Sequence, residues 1–329
     1  MLSYTLRRVL YMIPTMVLIS IIVFVILQAP SGSYLDSYIH NLEQQGTEVS
    51  EELVNRLKER YGLDQPIYVR YFKWVSGIIT RGDFGQSFIF RRPVSDLILE
   101  RLPWTIVIAG STFLFTWLLG IPIGIYSAVR QYSLGDHIFT LFGFVGISIP
   151  NFFLALLLLF FMAFWLETGS VGGLFSPQYV GAPWSWGKFV DLLTHIWLPI
   201  VAVGTAGLAG VIRKMRGNLL DVLNKQYIQT ARSKGQNETV IIYKHAVRNA
   251  LHPLIMSLGM SLPKLISGAV IVGIVLNLPT TGVVFYRAIR GQDTYLAGSF
   301  LMMMAFILLL GNLLADLVLA WVDPRVRYE

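Results

Sequence analysis

Val9-Leu-Tyr-Met-Ile-Pro-Thr-Met-Val-Leu-Ile-Ser-Ile-Ile-Val-Phe-Val-Ile-Leu27 is an apolar run without a single charge. As a helix it rises about 28 Å, close to the ~30 Å hydrocarbon core of a bilayer. A lone segment in lipid satisfies its N–H and C=O groups only internally, so the run is read as a spanning helix. Arg7 and Arg8 ahead of it resemble the start of a signal peptide. The run is too long for one and lacks a small-residue cleavage site, so it is expected to remain as the first span.

Similar runs recur near 104–128, 138–166, 195–212, 254–276 and 298–321, which with 9–28 makes about six transmembrane helices. Composition agrees: 54% of the 329 residues are hydrophobic, mean hydropathy is +0.60, and 14% are charged, against about 25% in soluble domains. The class is an all-α membrane protein. The chain divides into the N-terminus and first span (1–28), an external segment (29–103) and a bundle of the remaining spans (104–329). The net charge of +7 gathers beside the spans, at Arg7, Arg8, Arg130, the group from Arg213 to Arg248, Arg325 and Arg327. Basic residues there orient a membrane protein, so both termini and the 213–253 loop are expected to be cytoplasmic, with no nucleic-acid partner. Segment 29–103 is then external, with an amphipathic helix expected at 49–60 and a turn at Gly82-Asp83-Phe84-Gly85, as in a small cap. Trp74, Trp104, Trp184, Trp186 and Trp197 are expected at the outer interface.

The 213–253 loop is long for a connector and patterned for helix. Leu220, Leu223, Tyr227 and Ala231 recur at spacings of three and four, with Asp221, Asn224, Lys225 and Arg232 elsewhere around the wheel. Gly235 supplies a stop, Asn237 a cap, and Val240, Tyr243, Val247 and Ala250 a second stripe before Pro253. The unit is a helix–glycine–helix elbow. Its apolar stripe has three possible covers: the chain's own bundle, anionic lipid, or a protein partner with an acidic or helix-C-terminal surface.

Tyr227-Ile-Gln-Thr-Ala-Arg-Ser-Lys-Gly235, continuing to His245-Ala-Val-Arg-Asn-Ala-Leu-His-Pro253, resembles the EAA loop of ABC-importer permeases, in the peptide/nickel-type variant. Tyr61-Gly-Leu-Asp-Gln-Pro66, Gly82-Asp-Phe-Gly85, Pro93-Val94, Arg101-Leu-Pro103 and Asp323-Pro-Arg-Val-Arg-Tyr328 extend the resemblance over nearly the whole chain. The resemblance implies that the elbow is a coupling helix seated in a cleft of a cytoplasmic ATPase. Ala231 and Gly235 then hold the small-residue places, beside Arg232 and Lys234. His245 and Arg248 stand where the general pattern has an apolar residue and a proline. With Leu223 and Tyr227 these make the expected coupling set. The implied assembly has a second homologous permease, two ATPases that bind ATP and Mg, an extracytoplasmic solute-binding protein, and a bacterial or archaeal inner membrane around it. The implied activity is import of oligopeptides or similar solutes by alternating access, with oligosaccharides or nickel as alternatives.

No phosphate loop of the G-x-x-x-x-G-K-[ST] form occurs, so ATP hydrolysis is expected in partner subunits and the chain is read as a transporter rather than an enzyme. There is no cysteine, no H-E-x-x-H and no G-x-S-x-G, so no metal site and no cofactor is expected in this chain. Lys264 and Asp316 fall inside apolar runs, where charge is costly and functional. Their depths suit either a mutual ion pair or a place on the translocation path. An ion-coupled secondary transporter using these two residues is the rival from another class.

Overall fold

A computed structural model describes residues 2–28, 65–165 and 172–322. The expected helix at 49–60 and the motif at 323–328 lie outside the described residues, as does most of the motif at 61–66. In chain order the helices are α1 (Leu2–Gln28), α2 (Ile67–Arg81), α3 (Val94–Val129), α4 (Leu134–Ser148) and α5 (Asn151–Trp165). After a short 3-10 turn come α6 (Trp186–Leu223), α7 (Gln226–Ser233) and α8, which runs as Glu238–Val240, a π turn Ile241–Ala246, and Val247–Ala250. α9 (His252–Met256), α10 (Leu258–Val275), α11 (Thr281–Arg290) and α12 (Thr294–Val322) follow. Among the described residues the only β pairing is one isolated bridge, Gln86 to Pro93.

Among the described residues, four helical stretches are long and apolar enough to cross a membrane: Thr5–Gln28, Val94–Val129, Trp186–Leu223 and Thr294–Leu319. The stretch expected as one span at 138–166 is instead α4 and α5, bent by 102°; taken together they make a fifth crossing. Pro150 causes the break. It has no N–H to continue the ladder, and its ring pushes the preceding residue out of the α region. Ile149 is accordingly extended at φ −86°, ψ 121°, and the Pro150 carbonyl restarts the helix by accepting from the N–H groups of Phe153 and Leu154. Hydropathy continues unbroken across this corner, so apolar length alone does not see it. The stretch expected as a span at 254–276 is divided between α9 and α10, and α10, whose 18 residues rise about 27 Å, is not among those four.

The chain divides into two compact units. One is built on Trp104–Pro279 with both chain ends, the other on Val9–Pro103 and Thr280–Phe306. In the first, α3 and α6 pack so closely at Gly124 that a Cβ there would lie 2.6 Å from that of Met215. One core of this unit gathers Ile108, Ala155, Leu198, Ala202 and Val272, and a second gathers Ile125, Met215 and Leu219 with residues of α7 and α8.

In the second unit Trp74 is buried rather than placed at an interface. Its ring packs 5.7 Å from that of Phe24, and its indole N–H donates to the Phe84 carbonyl at 3.3 Å. The expected turn after α2 is present: Gly82 is left-handed at φ 64°, and the Asp83 carboxylate accepts from the Gly85 N–H at 2.9 Å. Asp293, fully buried just before α12, accepts from the Ser87 hydroxyl (2.5 Å) and from the N–H groups of Ile89 and Leu296 (both 3.2 Å). Burial raises the pKa of this carboxyl above the ordinary value, against the pull of those donors.

Candidate coupling elbow and transport cavity

The elbow is a two-sided object. Ile228 of α7 and Ile241 and Ala246 of α8 have no exposed surface, and with Ile242, Val247 and Ala250 they join the core formed by Ile125, Met215 and Leu219. The apolar side therefore lies on the chain's own bundle. The Asn218 amide fastens it further by donating to the Ala250 carbonyl at 3.2 Å. The opposite side, with Tyr227, Arg232, Lys234, Gly235 and Arg248, faces outward.

The expected stripes are shifted. Leu223 ends the long α6, a break at Asn224 and Lys225 follows, and the buried residue of α7 is Ile228, not Tyr227. In α8 the π turn, with its i→i+5 bonding, rotates the helix so that Ile241 and Ile242 face in while Val240 and Tyr243 stay out. Ala231 and His245 are half-buried. The signal for the anchor was the three-residue spacing of Ile228 and Ala231; the rotation in α8 has none in the sequence.

The turn itself follows its local chemistry. Gly235 sits at φ 72°, a conformation glycine adopts without a Cβ penalty, and the Asn237 side chain accepts from the Thr239 N–H at 2.9 Å. Arg232 clasps Glu238 across the turn, 2.6 Å from Nη2 to Oε1. The hydrogen bond from Arg232 holds the Glu238 carboxyl below its usual pKa, and the same bond raises that of Arg232. Tyr227 Oη accepts from the Asn249 amide at 2.9 Å, which ties α7 to α8.

A cavity of about 420 Å³ opens on α3, α6, α9 and α10, with Asn151 of α5 at its edge. Lys264 lines it, together with Lys214 one residue before the elbow's anchor Met215. Asp316 does not meet Lys264; its partner is Arg8, at 3.2 Å. A second ion pair, unanticipated, joins Asp136 to Arg216 through two bonds of 2.9 and 3.0 Å. Asp136 is 3% exposed and also accepts from the Tyr132 N–H. Its signal was Ser133-x-x-Asp136, a capping-box pattern at the start of α4, where the Ser133 hydroxyl accepts from the Asp136 N–H.

Long apolar helices with a cavity among them and an anchored elbow describe a polytopic membrane protein. Residues 120–328 match the family described as binding-protein-dependent transport system inner membrane component, and residues 1–109 match the N-terminal family of the same systems. The oligopeptide transport system permease protein AppB of Bacillus subtilis is 35% identical over the full length of both chains. The dipeptide permease DppB of Alkalihalophilus pseudofirmus is 31% identical and the oligopeptide permease OppB of Haemophilus influenzae 30%, again over the full length of both chains. Among solved structures, an inward-facing MetNI methionine ABC transporter matches 69% of this chain and 96% of its own at 17% identity and a TM-score of 0.49. The chain belongs to the binding-protein-dependent inner-membrane permeases and is an ABC-importer permease subunit of the cell membrane.

Proposed function

We propose that this chain pairs with a second homologous permease and two cytoplasmic ATPases to import oligopeptides delivered by an extracytoplasmic binding protein, with oligosaccharides or nickel as the alternatives. Both termini and the elbow face the cytoplasm, where the partner ATPases hold ATP and Mg. One observation carries the reading: α3 and α6 each bear both elbow anchors and cavity wall. On α6, Lys214 lines the cavity and Met215 the elbow core; on α3, Trp117 lines the cavity and Ile125 lies eight residues, about 12 Å, further along.

The elbow is held to the ends of these helices by Ile228, Ile241 and Ala246, so a push on its outer face is delivered to the helices as a rigid displacement. Closure of the ATPases on nucleotide would move the elbow, tilt α3 and α6, and change the side on which the cavity opens. Leu223, Tyr227, Ala231, Arg232, Lys234, Gly235, His245 and Arg248 are the residues assigned to this contact. Purification of the chain in mild detergent tests the assembly. Recovery of an ATPase, a second permease and a binding protein is the expected result; recovery of the chain alone, able to transport on an ion gradient, would overturn it.

A further inference from the structure

The cavity carries a charge pattern that coupling does not require. Lys214 and Lys264 both border it, and among the described residues none of its lining is a carboxylate. Among the described residues neither lysine makes an ion pair. The serine hydroxyls of the wall are already engaged, Ser257 donating to Leu254 at 2.8 Å and Ser261 to Leu258 at 2.6 Å. The two ammonium groups and the Asn151 amide are therefore among the side-chain donors of the lining left without a protein partner in the described residues. Phe113, Trp117, Val203 and Met260 supply apolar walls. A cleft of one charge sign with low-dielectric walls focuses its field on the interior and concentrates counter-ions there. The volume of about 420 Å³ lies within the ~300–1,000 Å³ range of small-molecule sites.

We propose that this cavity is an anion-receiving station, in which Lys214 and Lys264 hold the carboxylate of a small solute in transit. That the solute is cargo rests on the importer reading; the positive potential of the cavity does not. An anionic lipid headgroup offers similar chemistry, and the test separates the two.

The chain contains no cysteine, so Ser261→Cys in the full-length protein in phosphatidylcholine nanodiscs places its sole thiol on the cavity wall, and Ser257→Cys provides a second reporter. Modification rates are compared for a sulfonate-bearing and a trimethylammonium-bearing methanethiosulfonate. The anionic reagent is expected to react faster, and Lys214→Gln with Lys264→Gln should lower the anion-to-cation rate ratio about tenfold. N-acetyl-alanyl-alanine should slow the reaction, whereas its C-terminal amide should not. Equal rates at both reporters, unchanged by the lysine substitutions, would overturn the proposal. So would protection by phosphatidylglycerol without protection by the dipeptide acid, which would assign the site to lipid. None of these rates depends on an ATPase, so failure of the importer reading shows separately, in the co-purification.

Discussion

Two helix junctions of this protein turn the chain in the same way and treat their polar groups in opposite ways. The elbow turns at Gly235 (φ 72°) and the junction before α12 turns at Gln292 (φ 54°). Each has an acidic residue close behind the turn. At the α12 junction Asp293 is fully buried and ringed by the Ser87 hydroxyl and two backbone N–H groups. At the elbow Glu238 stands in solvent, held among the described residues by Arg232 alone. An enclosed carboxylate with several donors fixes a geometry. An exposed pair on an apolar anchor leaves a surface ready to receive something. The α12 junction is closed on itself, whereas the elbow leaves its outer face exposed, as the docking role proposed for it requires.

The contrast can be broken by substitution. Asp293→Ala removes the acceptor from three donors at once and should destabilise its unit by about 2–4 kcal/mol, read as a lowered midpoint in thermal unfolding of the detergent-solubilised chain. At the elbow the comparable loss should come from the apolar anchor. Ile228→Ala empties a fully buried site and should cost about 2–3 kcal/mol, appearing as faster hydrogen exchange confined to α7 and α8. Arg232→Ala, by contrast, should shift stability by no more than about 0.5 kcal/mol, because both partners are solvated.

Acidity sharpens the comparison. The pKa of Asp293 is raised, so its contribution is fully present below the ordinary carboxylate range and declines as pH rises through the elevated value. The pKa of Glu238 is lowered, so its smaller contribution is present above that range and is lost on acidification. Amide protection, taken as the exchange rate relative to the intrinsic rate at each pH, should therefore rise around Asp293 on acidification and fall around Glu238. Asp293→Asn should abolish the first trend and Glu238→Gln the second.

Much of this was legible in the chain. Apolar length finds helix in every expected stretch, because a segment in lipid has no alternative to helix, but the stretches at 138–166 and 254–276 are each divided between two helices. It misses the corner at Ile149 and Pro150, since hydropathy is the same on both sides of it, although Pro150 itself was the signal. The elbow's existence, its glycine turn and its Asn237 cap follow from local chemistry. The buried faces did not follow. A π turn is a tertiary accommodation that changes the phase of α8 without a residue to announce it. Ion-pair partners were hidden for another reason: Arg8 with Asp316 and Asp136 with Arg216 are joined across long stretches of chain, and charge depth alone suggested Lys264 for Asp316. With Asp316 engaged by Arg8, Lys264 is left to the cavity.

Coupling through the elbow is tested most directly at Gly235, where no atom lies within 4 Å of a added Cβ inside the chain. Gly235→Asn retains a residue that tolerates the left-handed turn, whereas Gly235→Trp adds bulk to the outward face. The reconstituted complex should keep solute uptake linked to ATP hydrolysis with asparagine, and should hydrolyse ATP without uptake with tryptophan. Uptake per ATP equal to that of the unmodified complex in the tryptophan variant would contradict the assignment of the elbow as the coupling element.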